Sequence, residues 1–237
     1  GVLWGLELLA WDPANLLRVS KVLARLASAD PGGKLLNRPV NSLRDIFVAW
    51  SPSTNATAKQ RHAVLASIVR DFPDIAWELL VKLLPGNSNH PSLGQKPLFR
   101  EAGGSNVEEL TYRVVWESQN DQVKIAIEHV GDDGTRLATL IGQLNKVPPE
   151  SFNAIVHAVT SFLDVKSGVD GYEVWKALKR EVDHNRTYQD TEWALKGEAI
   201  DRLDAVVMRF EPKDPLHRNT NLFDDWMPYV NGVRDGD

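Results

Sequence analysis

The residues best suited to binding chemistry lie in the polar segment Asn37-Arg38-Pro39-Val40-Asn41-Ser42-Leu43-Arg44-Asp45. Arg38 and Arg44 supply forked guanidinium donors beside an expected helix start, where backbone N–H groups also favour an anion or an acidic peptide. The same residues also read as helix punctuation, with Asn41 or Ser42 at the N-cap and Arg44-Asp45 as surface charge. Trp77 is a third candidate. It stands two residues from both Ile75 and Leu79 and so falls off the apolar stripe of its helix, where it either packs on a neighbour or meets a partner.

Other chemistry finds little footing. A metal needs converging ligands, which on one helix means His or carboxylate at i and i+3 or i+4. His62, His90, His129, His157, His184 and His217 are isolated in sequence, and Asp183-His184 with Asp190 is the nearest approach to a cluster. There is no Gly-x-Ser-x-Gly elbow, no phosphate-cradling loop ending in Lys and Ser or Thr, and no dinucleotide glycine fingerprint. The paired carboxylates Glu108-Glu109 and Asp224-Asp225 have no apolar setting to shift them toward acid–base work. The expectation is a chain without catalytic residues, metal or cofactor.

Composition bounds the partners. Zero cysteines exclude a disulfide framework and thiol catalysis and suit a reducing compartment, so the cytoplasm is the expected location. No apolar run reaches the roughly 20 residues that span a bilayer. Residues 1–84 carry 10 Lys and Arg against 7 Asp and Glu, and residues 85–237 carry 17 against 25. An acidic second part repels phosphate backbones, so neither nucleic acid nor a membrane is expected as partner. Eight tryptophans are the one compositional excess, and in helical stripes they pack between helices.

The elements that position these residues are helices. Val64, Leu65, Ile68, Val69 and Phe72 form one stripe, and Ile75, Ala76, Leu79, Leu80, Leu83 and Leu84 another. Pro73 ends the first helix and opens the second, which predicts an αα-hairpin over 57–85 with Leu65, Ile68, Leu79 and Leu80 buried and Lys59, Arg61 and Lys82 on solvated faces. Upstream, stripes over Val2, Leu3, Leu6, Leu9 and Ala10, over Leu16 to Leu26, and over Leu43, Ile46, Phe47 and Trp50 predict three more helices. Downstream, helices are expected around Leu137 to Leu144, Phe152 to Leu163, Tyr172 to Val182, and Thr191 to Arg209. Residues 110–130 admit two readings. Val107, Leu110, Val114, Ile125, Ala126 and Val130 can share helical faces, whereas Thr111-Tyr112-Arg113-Val114-Val115-Trp116 and the alternation at Val123, Ile125 and Ile127 suit a β-hairpin.

The expected organisation is a helical-hairpin subdomain over 1–84, a long loop over 85–105 rich in Pro, Gly and Asn, and a second helical subdomain over 106–237. Both ends read as cuts within a longer polypeptide. The fold class is therefore all-α, in stacked antiparallel helical hairpins.

About ten helices joined by short turns, with helix-hairpin spacing and no strict period, resemble the degenerate α-solenoids of the HEAT, armadillo and tetratricopeptide kind. Trp11-Asp12-Pro13, Asp30-Pro31-Gly32-Gly33, Asn37-Arg38-Pro39 and Asn41 to Phe47, with Phe210 to Pro215 and Leu222 to Trp226, resemble the helical region of large multidomain bacterial proteins. That resemblance implies a non-catalytic scaffold binding a protein partner or another domain of the same polypeptide. The alternative is a ligand-sensing regulatory region of a bacterial defence or signalling enzyme, with an anion near Arg38 and Arg44.

Overall fold

The computed structural model describes residues 1–34, 37–87, 96–97, 108–166, 168–218, 229–230 and 233–234. Among them the protein is all-helical apart from its connections and one short ladder, in which Tyr229–Val230 pairs antiparallel with Val233–Arg234. The chain divides into two compact units, Gly1–His129 and Val130–Asp237. The expected loop over 85–105 lies outside the described residues except for 85–87 and 96–97, as do Leu222 to Trp226.

The first unit contains α1 (Val2–Ala10), α2 (Leu16–Ser28), α3 (Pro39–Phe47), α4 (Ala58–Asp71), α5 (Pro73–Leu83) and all but the last residue of α6 (Tyr112–Val130). Thr57 and Gln60 begin α4 with a reciprocal capping box, Gln60 N donating to Thr57 Oγ1 at 3.3 Å and Thr57 N to Gln60 Oε1 at 2.9 Å. A further unsatisfied donor of that first turn, Ala58 N, finds Glu108 Oε2 at 2.7 Å. Phe72 alone separates α4 from α5, and the two helices pack together with Leu65, Ile68, Leu79 and Leu80 buried, as expected of the hairpin. α2 touches α1, α3, α4 and α5, so the unit closes around it.

Three expectations are corrected in this unit. The β-hairpin weighed for 110–130 is not seen, and residues 112–130 form the single helix α6. Its buried residues Val114, Ser118, Gln122, Val123, Ile125, Ala126 and Val130 lie on one side of the helix, and the two polar members broke the apolar signal that would have identified the period. Arg61, expected on a solvated face, is only 5% exposed. On α1 the stripe does not point inward: Ala10 is buried, while Val2 is 76% and Leu9 40% exposed. Eight of the nine α1 residues are uncharged and mostly large and apolar, so periodicity could not say which face turns inside.

The second unit contains α7 (Gly134–Ile141), α8 (Pro149–Val165), α9 (Val169–Thr187), α10 (Glu198–Arg209) and the single turn α11 (Pro215–Arg218). Asp133 caps α7, its Oδ1 accepting from Thr135 N at 2.9 Å and Arg136 N at 3.1 Å. α8 buries the expected stripe of Phe152, Ile155, Val156, Val159, Phe162 and Leu163. α9 is the centre of the unit, touching α7, α8, α10 and the ladder. Near its start, a Cβ on Gly171 would lie 2.5 Å from the Lys166 carbonyl oxygen, so only glycine lets the chain fold back that closely. The last long helix begins at Glu198 and not near Thr191. The fully buried Asn185 intervenes: its Oδ1 accepts from Leu195 N at 2.8 Å and holds the preceding segment in turns. The solenoid-like stacking expected from the sequence is not confirmed: pairs of consecutive helices touch in both units, and contacts also converge on α2 in the first and on α9 in the second.

Candidate functional site

Arg38 and Arg44 are each met by a carboxylate of the same unit. Arg38 Nε donates to Asp30 Oδ2 at 2.9 Å, and its Nη1 donates to the Gly33 carbonyl at 3.0 Å, which fastens the turn after α2 to the start of α3. Arg44 directs Nε and Nη2 onto Asp45 Oδ1, at 2.9 and 2.7 Å. The two guanidinium groups thus serve the local backbone and an adjacent side chain. Trp77 is half-buried and stacks on His129 of α6, with ring centroids 6.5 Å apart and planes 19° from parallel. It joins α5 to α6, one of the two roles its off-stripe position allowed. The other tryptophans divide: Trp175 is 3% exposed, but Trp50 and Trp116 are exposed at 41% and 55%.

The polar cluster that sequence reasoning missed surrounds Arg61. Arg61 shares a stripe with Leu65, Ile68 and Phe72, at i, i+4, i+7 and i+11, and a charge on that stripe was the available signal. Its Nη1 donates to the Ala56 carbonyl at 2.7 Å, while Nη2 is buried without a hydrogen-bond partner. Burial pushes the Arg61 pKa down, and the nearby Glu108 carboxylate opposes that shift. From α6, Gln122 Nε2 donates to the Phe47 carbonyl at 2.7 Å, and Ser118 is buried alongside. His62 Nδ1 stands 3.5 Å from Asp121 Oδ2. Arg61, His62, Ser118, Asp121 and Gln122 line one small cavity with Phe47 and Leu65.

In the second unit, one face of α9 lines a groove of about 630 Å³ whose other wall is α7. Glu173, Lys176, Arg180, Glu181 and His184 project along it, facing the small residues Ala138 and Gly142. At one end His184 stacks on Trp193, with centroids 5.0 Å apart, and meets the edge of Tyr188. Two acidic and two basic side chains share this face, which gives the groove no net preference for a ligand of either sign. Among the described residues there is no group of three or more His, Asp and Glu able to hold a metal, and no helix long and apolar enough to cross a membrane.

Two carboxyls on α9 carry the electrostatic strain of this unit. Burial raises the pKa of Glu181, against a hydrogen bond from Asn185 Nδ2 at 2.8 Å. Burial likewise raises that of Asp183, against the Lys179 ammonium at 2.9 Å. A carboxyl raised in the folded state stabilises the fold fully below its unfolded value, about 4.3 for Glu, and that contribution is lost as pH rises through the folded value. Glu181→Gln keeps an acceptor for Asn185 and removes the titration. Urea titrations from pH 4 to pH 8 are therefore expected to show stability that falls less with rising pH in the variant than in the wild type. Parallel pH profiles would show that Glu181 ionises in the folded state as easily as in the unfolded one.

An exposed apolar surface lies on the outer side of α1. Trp4, Leu8, Gly5, Leu9 and Val2 follow one another around the helix, with Trp4 61% and Leu8 40% exposed. The one charged residue of α1, Glu7, turns inward, where its Oε1 accepts from Ser42 Oγ at 2.6 Å. No protein-family model matches the chain, and neither a curated protein nor a solved structure is significantly similar to it.

Proposed function

We propose that this chain is a non-catalytic helical interaction module that binds an apolar surface of a protein partner, or of another domain of the same polypeptide, through the outer face of α1. The single observation that carries this reading is the uncharged face of Val2, Trp4, Gly5, Leu8 and Leu9. Covering a leucine or valine side chain is worth about 1.5–3 kcal/mol relative to leaving it in water, so a face of this composition gains most from an apolar occupant. Gly5 lies in the middle of that face with open space beside it, which lets a partner helix approach the α1 backbone closely. α1 has no Lys or Arg to seek phosphates, which favours protein over nucleic acid or an anionic lipid surface. Anion sensing at Arg38 and Arg44 has less support, because both guanidinium groups are engaged by Asp30 and Asp45.

Site-specific photo-crosslinking tests the proposal. A benzophenone amino acid at position 4 or 8 is expected to capture one discrete protein, or one other segment of the same polypeptide, whereas the same probe at the exposed Lys59 captures none. Leu9→Asp lies on the exposed face, so it should leave the melting temperature within about 2 °C of the wild type while weakening binding of the purified partner at least about tenfold, or 1.4 kcal/mol. Adducts only with a second copy of the chain, or none from either α1 position, would overturn the reading.

A further inference from the structure

Three buried polar atoms of residues that line the small cavity between α4 and α6 have no hydrogen-bond partner in the protein: Arg61 Nη2, Ser118 Oγ and Gln122 Oε1. All three residues are more than nine-tenths buried, Arg61 at 5%, Gln122 at 6% and Ser118 at 8% exposure. Buried polar groups are almost always paired, and a cluster of unpaired ones around a common space marks a place for something that supplies the missing bonds. The space leaves about 10 Å³ open to the centre of a water molecule, which is about one water and too little for a phosphate or a carboxylate ligand.

Chemistry then decides what the occupant is. Gln122 is oriented by its own bond: because Nε2 donates to the Phe47 carbonyl, the atom left for the cavity is Oε1, which only accepts. Arg61 Nη2 only donates. Ser118 Oγ does either, and His62 Nδ1 is turned toward the Asp121 carboxylate at 3.5 Å. The occupant must therefore both accept and donate. A halide could accept from Arg61 and Ser118 but would face Gln122 Oε1 and the Asp121 carboxylate, which lines the same cavity. Arg61 is already balanced in part by Glu108.

We infer that the α4–α6 cavity is a binding site for one structural water molecule, which accepts from Arg61 Nη2 and Ser118 Oγ and donates to Gln122 Oε1. The water joins Arg61 of α4 to Ser118 and Gln122 of α6, and through Gln122 to the end of α3. It completes the burial of a cation that the sequence places on an apolar stripe, and it ties α6 to α4.

A crystal structure at 2 Å or better, from crystals transferred into bromide, tests this directly. The expected result is one fully occupied water within hydrogen-bond distance of at least two of the three atoms, with no anomalous bromide peak beside Arg61. Melting curves in fluoride, chloride and bromide at equal ionic strength supply a second readout, in which no halide-specific rise in melting temperature is expected. Ser118→Ala removes one of the water's partners without adding volume, and is expected to lower the melting temperature and leave the site partly occupied. An empty cavity in the wild type, an anomalous bromide peak, or a stabilisation by bromide that Ser118→Ala abolishes would overturn the inference, the last two by showing an anion site.

Discussion

Leu79→Ala is expected to destabilise the first unit by about 2–5 kcal/mol, as large-to-small changes in packed cores do. Leu79 is fully buried on α5, a helix that touches α2, α3 and α4, so the cavity left behind is walled by several elements and cannot readily collapse. Three residues on, Lys82 of the same helix lies partly in solvent with its ammonium 3.7 Å from Glu78. Lys82→Ala should cost under about 0.5 kcal/mol, because an exposed pair of this kind contributes little. Urea titrations followed by far-ultraviolet circular dichroism compare the two variants with the wild type. Equal midpoints for the two variants would mean that the α5 stripe is not a core face.

Trp175→Ala is expected to cost the second unit about 3–5 kcal/mol, and Trp175→Phe about 1–3 kcal/mol. The two figures separate the ring from its N–H. Trp175 is buried on α9, and its Nε1 donates to the Val207 carbonyl at 2.9 Å. Val207 stands in the last turn of α10, where backbone carbonyls have no partner within the helix. The indole therefore caps α10 from the side while filling the space between the helices. Phenylalanine fills most of that space but leaves a buried acceptor unmet. A Phe variant as stable as the wild type would show that another donor reaches Val207, and an Ala variant within about 1 kcal/mol would show that the ring is not part of the core.

What the sequence revealed depended on whether polar residues stayed off the stripes. α5 and α8 were legible because every stripe position is apolar and the opposite face is polar. Residues 112–130 were ambiguous because Ser118 and Gln122 occupy inward positions, which removed two beats from a helical rhythm and left the strand formers around Val114 and Val115 conspicuous. Arg61 was misread by the same logic in reverse. A charged side chain was assigned to solvent although its spacing from Leu65 and Ile68 put it inside. α1 was indeterminate for a third reason, since a helix apolar on nearly every side carries no directional information. The partners of Arg38 and Arg44, Asp30 and Asp45, were both written in the sequence, but a carboxylate eight residues away across a turn can be assigned only once the turn is known. The late start of α10 depended on Asn185, whose reach to Leu195 N is a tertiary contact with no local pattern.

The bond from Gln122 to the Phe47 carbonyl also has a meaning in time. The two residues lie 75 positions apart. With synthesis at roughly 5–20 residues per second, the stretch that separates them takes on the order of 4–15 s to emerge. Phe47 and Leu65, which line the same cavity as Gln122, have left the ribosome before the segment that covers them exists. Helices α2 to α5 can associate during that interval, but the nascent chain carries an open seam along α4 until α6 arrives. The first unit is thus completed from its far end, and the pace of translation between residues 66 and 122 sets how long that seam stays open to chaperones or to a neighbouring nascent chain.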